Sequence, residues 1–123
     1  MKMLRVHAPL GAAFLLTSFL AAAPAEASFD YGPKPRAWCG WHMRQEVGRD
    51  PGPSYNLAIE WKKFGSHAGG PSVGVIVVWP HHVGKIIGRD GRGQWIVRSG
   101  NDGNAIRERA RSLKGVVAYR WPA

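Results

Sequence analysis

The sequence predicts an α+β domain in which N-terminal helices pack on a small antiparallel β-sheet. Two observations carry that expectation. Apolar residues fall at helical spacing before Gly65, and β-rich runs separated by short Gly, Asp and Asn clusters follow it. No internal repeat or low-complexity tract interrupts the order.

Residues 1–27 come first. A basic start (Lys2, Arg5), an apolar stretch from Ala8 to Ala23 and small residues at Ala25-Glu26-Ala27 have the layout of a secretory signal peptide. The apolar stretch is short and alanine-rich for a permanent span, and no later segment approaches the roughly 18 apolar residues that a spanning helix needs. The expectation is a secreted or periplasmic protein with residues 28–123 forming one domain. That length supports one core and leaves no room for an appended binding domain.

Ser28 to Arg36 carries Pro33 and Pro35 and reads as an extended lead-in. Trp38 to Val47 (WCGWHMRQEV) reads as a short helix, with Gly48 at a left-handed cap and RDPGP as a turn. A second helix is expected from Tyr55 to Phe64, capped by Ser54, with Leu57, Trp61 and Phe64 as a core stripe. Strands are expected at Val73–Trp79, Val83–Ile87, Gln94–Arg98 and Val116–Arg120, and the short linkers between them favour antiparallel neighbours.

The chain has 17 Lys and Arg against 8 Asp and Glu, a formal charge of +9. For an exported protein this favours an anionic partner in the envelope, whether peptidoglycan stem carboxylates, teichoic acid or lipopolysaccharide, over nucleic acid, and charge alone does not choose among them. A soluble, well-solvated surface is the alternative account of the same charge. Arg107, Arg109 and Arg111 alternate, so on a strand they would share one face, either solvated or set to hold anionic wall material.

The single cysteine, Cys39, is unusual for an oxidising compartment, which pairs thiols or dispenses with them. An inert, buried thiol is one account. Its position at the start of a helix, where the dipole favours thiolate, points instead to a nucleophile. A nucleophilic thiol needs an imidazole to take its proton and return it to the leaving amine, and a polar group to orient that imidazole. The candidates are Cys39, His82 and Asn101, with Asp102 in reserve for the third place.

The blocks WCGW at 38–41, VGVIVVW with HHVG at 73–84, GQWIVRSGND at 93–102 and GVVAYRWP at 115–122 resemble the cysteine, histidine-dependent amidohydrolases/peptidases (CHAP domains) of the papain-like superfamily. The resemblance spans about two thirds of the chain and is closest to small secreted bacterial members. It implies a papain-like fold and hydrolysis of an amide in peptidoglycan, with Cys39 as nucleophile and His82 as base. The family's Glu-x-Asn motif aligns with Ser99-Gly100-Asn101, so Asn101 is retained where the glutamate is not. It implies no metal and no organic cofactor, and assigns the Cys39 N–H to the oxyanion. A wall-binding domain of the same fold without activity is the competing expectation.

Other readings are open to the same residues. Cys39-x-x-His42 with His81-His82 offers four zinc-type donors, although adjacent histidines on a strand face opposite ways. His42 could serve as base from the same helix, and His81 would replace His82 if the register moved by one. Val83 to Gly93 resembles the GxxG loop of an RNA-binding KH domain, but a β-rich run follows it, so GRDGRG is expected to be a hairpin turn. Trp38, Trp41, Trp61, Trp79 and Trp95 are expected in the core or cleft wall, Trp41 being the candidate for stacking on substrate.

Overall fold

The computed structural model describes residues 30–123; the expected signal peptide lies outside them. Helix α1 spans Cys39–Glu46, and two 3-10 helices follow at Pro53–Asn56 and Ala58–Lys63. The strands are β1 (Ser66–His67), β2 (Ile76–Trp79), β3 (His82–Arg89), β4 (Trp95–Ser99), β5 (Arg107–Ala110) and β6 (Ala118–Trp121). They form one antiparallel sheet in the order β1-β6-β2-β3-β4-β5. The coarse α+β expectation is met. Among the described residues no helix is long and apolar enough to cross a membrane.

The expected second helix is the main departure. It breaks at Leu57, whose backbone is extended (φ −78°, ψ 122°), into 3-10 pieces of four and six residues. Gly52, not Ser54, precedes the first piece, and Pro53 opens it. The break leaves Trp61 and Phe64 in the core but turns Leu57 out to 64% exposure. The Trp61 indole donates to the carbonyl of Tyr55 (2.7 Å), and Tyr55, Trp61 and Phe64 pack edge to face. Burying these rings, each worth roughly 1.5–3 kcal/mol, outweighs the regular hydrogen bonds of a continuous helix.

Registry divides the sheet into two faces. Ile76, Val78 and Val83 share the core with Cys39 and Met43 of α1, while Val75, Val77, Ile86 and Val97 form a second cluster. The run from Val75 to Val78 is therefore buried on both faces, which explains why it reads as continuously apolar rather than alternating, while Val73 at the start of the expected strand is exposed. The GRDGRG segment is a hairpin turn between β3 and β4, where Asp90 Oδ1 accepts the amides of Arg92 and Gln94 and Gly93 takes a positive φ of 76°. Strand β5 was not expected; all four of its residues are exposed.

Two polar anchors hold α1 in place. Arg44, 2% exposed, grips Asp50 with two bonds of 2.8 Å and reaches the Tyr31 carbonyl and the Asn56 amide oxygen. Glu46 pairs with Arg98 of β4 and lies 3.6 Å from His42. Gly40 is required at the contact with the first 3-10 helix, because a Cβ there would strike the carbonyls of Tyr55 and Asn56.

Candidate active site

Cys39 is the first residue of α1 and is 3% exposed. Its Sγ lies 4.0 Å from the His81 carbonyl oxygen and takes a backbone hydrogen bond from Val83. The thiol thus rests against the strand backbone on either side of His82. The cause is the tight Pro80-His81 turn, which sets Trp79 opposite His82 at the β2–β3 register and carries the start of β3 under the helix N-terminus.

The two adjacent histidines part at this turn: His81 is exposed and His82 is partly buried. His82 Nε2 meets Ser99 Oγ at 2.9 Å, and its ring lies 5.8 Å from that of Trp79. Ser99 is fully buried at the end of β4. If Nε2 carries the proton and Ser99 accepts it, the lone pair is left on Nδ1, the tautomer a base needs.

Among the described residues the side-chain hydrogen bond of the imidazole is to Ser99, rather than to Asn101 or Asp102, which the sequence offered for the third place. Asn101 sits in a left-handed turn (φ 52°) and makes no hydrogen bond to His82. Asp102, 5% exposed, is held by Arg109 through bonds of 2.6 and 2.5 Å and lies 3.5 Å from Arg111. Its influence on His82 is through space. The signal for Ser99 was present in the alignment with Glu-x-Asn, since the glutamate position is Ser99 itself.

Burial dominates the electrostatics. It pushes the Cys39 thiol up despite opposing backbone amides of Val83, Gly40 and Cys39 and the charge of Arg111. It also pushes His82 down to about 4, assisted by Arg111 and Arg109 and opposed by Asp102. Asp102 is raised by burial but lowered more by Arg109 and Arg111, so its carboxyl ends below the ordinary range. Burial thus keeps Cys39 a neutral thiol and His82 a neutral imidazole at neutral pH, against the expectation of a stable thiolate at the helix N-terminus.

A cleft of about 290 Å³ opens on Cys39, walled by Ala37, Leu57, Ala58, Ile59 and Pro80. Trp41 does not line it; its indole donates to the Gly32 carbonyl (3.2 Å) and ties down the lead-in segment. Trp38 is buried, donating to Asn104 in the loop after β4 (3.3 Å). Of the alternating arginines, Arg109 and Arg111 are paired with Asp102, and Arg111 also lies over the Trp79 ring at 5.1 Å. Arg107 and Arg109 are exposed, and Arg111 is partly buried.

The zinc alternative finds no support. Among the described residues no three His, Cys, Asp or Glu side chains converge, and His42 turns toward Glu46 while His82 turns toward Ser99.

Comparisons with protein-family models, with curated proteins and with solved structures found no match.

Proposed function

We propose that this chain is an exported cysteine hydrolase of the CHAP type, with a papain-like fold, that cleaves an amide bond in peptidoglycan. One observation carries the reading: the only thiol stands at a helix N-terminus against the backbone flanking a histidine whose far nitrogen is held by a buried hydroxyl. Those are the three parts of a nucleophile, base and orienting group.

In this mechanism His82 works as a general base on a neutral thiol rather than as half of a standing ion pair. As the substrate carbonyl arrives, the Sγ proton passes to His82, and sulfur bonds to the carbonyl carbon. The negative charge moves to the carbonyl oxygen, where the Cys39 N–H at the helix terminus can donate. The C–N bond then breaks and His82 gives its proton to the departing amine. Water, deprotonated by His82, attacks the thioester; the C–S bond breaks, releasing a carboxylate and restoring the thiol. No metal or organic cofactor is needed for any step.

Export through the expected signal peptide would bring the enzyme to the periplasm or medium, where the excess of basic residues suits an acidic polymer. Purified sacculi incubated with the protein should yield soluble fragments with new amine ends, identified by mass spectrometry, and Cys39→Ala should release none. Release of reducing sugar ends instead would refute amide hydrolysis.

A second reading has an observation in its favour. The thiol is 3% exposed and its ionisation is suppressed, as befits an inert core cysteine in a wall-binding domain of the same fold. Binding to sacculi with no amine released, and no alkylation of the native thiol, would favour it.

A further inference from the structure

Resting on Cys39 as the nucleophile, we propose that the cleft beside it is a specificity subsite for an uncharged, apolar side chain on the residue flanking the scissile amide. The cleft is where the nearly buried sulfur meets open space, so a substrate must present part of itself there. Its wall is alkyl: Leu57, Ala58 and Ile59 from the broken helical segment face Ala37 and Pro80.

No Asp, Glu, Lys or Arg lines this cleft, although the chain is rich in basic residues. A charged side chain placed there would lose water and gain no partner, whereas an alkyl side chain would exchange water for alkyl contacts. The other lining residues are His81 and Asn56, whose amide oxygen is already held by Arg44.

Leu57 gives the independent observation. It is the most exposed large apolar residue described, and the fold does not use it in the core. The extended backbone at Leu57 interrupts what would otherwise be one helical segment and leaves this side chain on the cleft wall. A leucine at 64% exposure next to a reactive thiol gains burial only when something apolar covers it.

The test uses irreversible thiol probes on the whole protein, so that turnover is not required. Iodoacetamide, the chloromethyl ketone of N-acetyl-leucine and that of N-acetyl-aspartate are compared by intact mass, each rate divided by its rate with free glutathione. The leucine probe should label Cys39 at least about tenfold faster than the aspartate probe, the discrimination typical of an apolar pocket. Leu57→Ser, at an exposed position that leaves folding intact by thermal melt, should reduce that preference at least about threefold and leave the iodoacetamide rate unchanged. Equal normalised rates for the two ketones, with iodoacetamide reacting, would overturn the subsite alone. Failure of all three probes on native protein, with labelling only after denaturation, would overturn the nucleophile reading and the subsite with it.

Discussion

Replacing Ser99 by alanine removes the side-chain hydrogen bond that holds the His82 ring among the described residues while leaving base and nucleophile in the chain. The hydroxyl is fully buried and 2.9 Å from Nε2, so its loss strands a ring nitrogen without a partner. A buried hydrogen bond contributes about 0.5–1.5 kcal/mol, and the abandoned polar atom brings the cost to about 1–2 kcal/mol. For a domain of this size that lowers the melting temperature by roughly 5–15 °C. Turnover on sacculi should fall by about tenfold to a hundredfold, less than the full contribution of a positioned base, because the imidazole is still present but no longer held in one tautomer. The diagnostic assay is nitrogen NMR of the imidazole below the melting transition. Wild type should show His82 as a single neutral tautomer protonated at Nε2, and Ser99→Ala should show a mixture. A variant that melts lower but keeps its tautomer and its turnover would show that Ser99 only packs the core, and the assignment of an orienting role would be withdrawn.

Three further predictions concern the same site, and a fourth the packing of α1 beside it. His82→Ala should abolish fragment release, whereas His81→Ala, altering an exposed ring at the turn, should retain most of it; the reverse result would mean that the histidines exchange places in the working enzyme. Because burial pushes the thiol up, the iodoacetamide rate on native protein should keep rising with pH beyond the ordinary cysteine range rather than reach a plateau near pH 6, and such a plateau would reveal a preformed ion pair. The folded pKa of His82, about 4 against 6.5, means that the folded state binds fewer protons than the unfolded chain between these values. Stability should accordingly decline as pH falls from 6.5 to 4, by about 1–3 kcal/mol after allowing for partial exposure, and His82→Gln should flatten that slope in denaturant titrations. Gly100→Ala would place a Cβ 2.5 Å from that of His42 and 2.8 Å from the Trp38 ring, so α1 should shift off β4 at a cost of about 1–3 kcal/mol, read from denaturant midpoints.

Local chemistry is legible where neighbours in sequence are neighbours in space. Helix α1 lies within the span expected from its apolar spacing, with Trp38 and Val47 flanking it, and Gly48 takes the positive φ (78°) that a left-handed cap requires. The β2–β3 and β3–β4 hairpins follow from turns only a few residues long, and Asp90 closes the second with its own carboxylate. The candidate thiol stood out because it is the only cysteine and begins a helix.

Long-range partners decided the rest. The chain from Tyr55 to Phe64 has helical spacing, but the competition between a regular helix and the burial of Tyr55, Trp61 and Phe64 is resolved by α1 and the sheet, which the local spacing does not contain. Asp102 looks like a catalytic carboxylate until β5 folds back and supplies Arg109, and Ser99 looks like an ordinary strand residue until β3 sets His82 against it. The ionisation of Cys39 was likewise set by depth: a helix dipole is visible in sequence, but desolvation depends on every element packed over the sulfur, and here desolvation is the larger effect. The sequence by itself determined the reactive atom types and the elements that carry them, because both are local properties. Which polar group faces the imidazole, which leucine is left exposed, and whether the thiol rests charged or neutral were decided only by tertiary packing, because each depends on atoms brought together from distant parts of the chain.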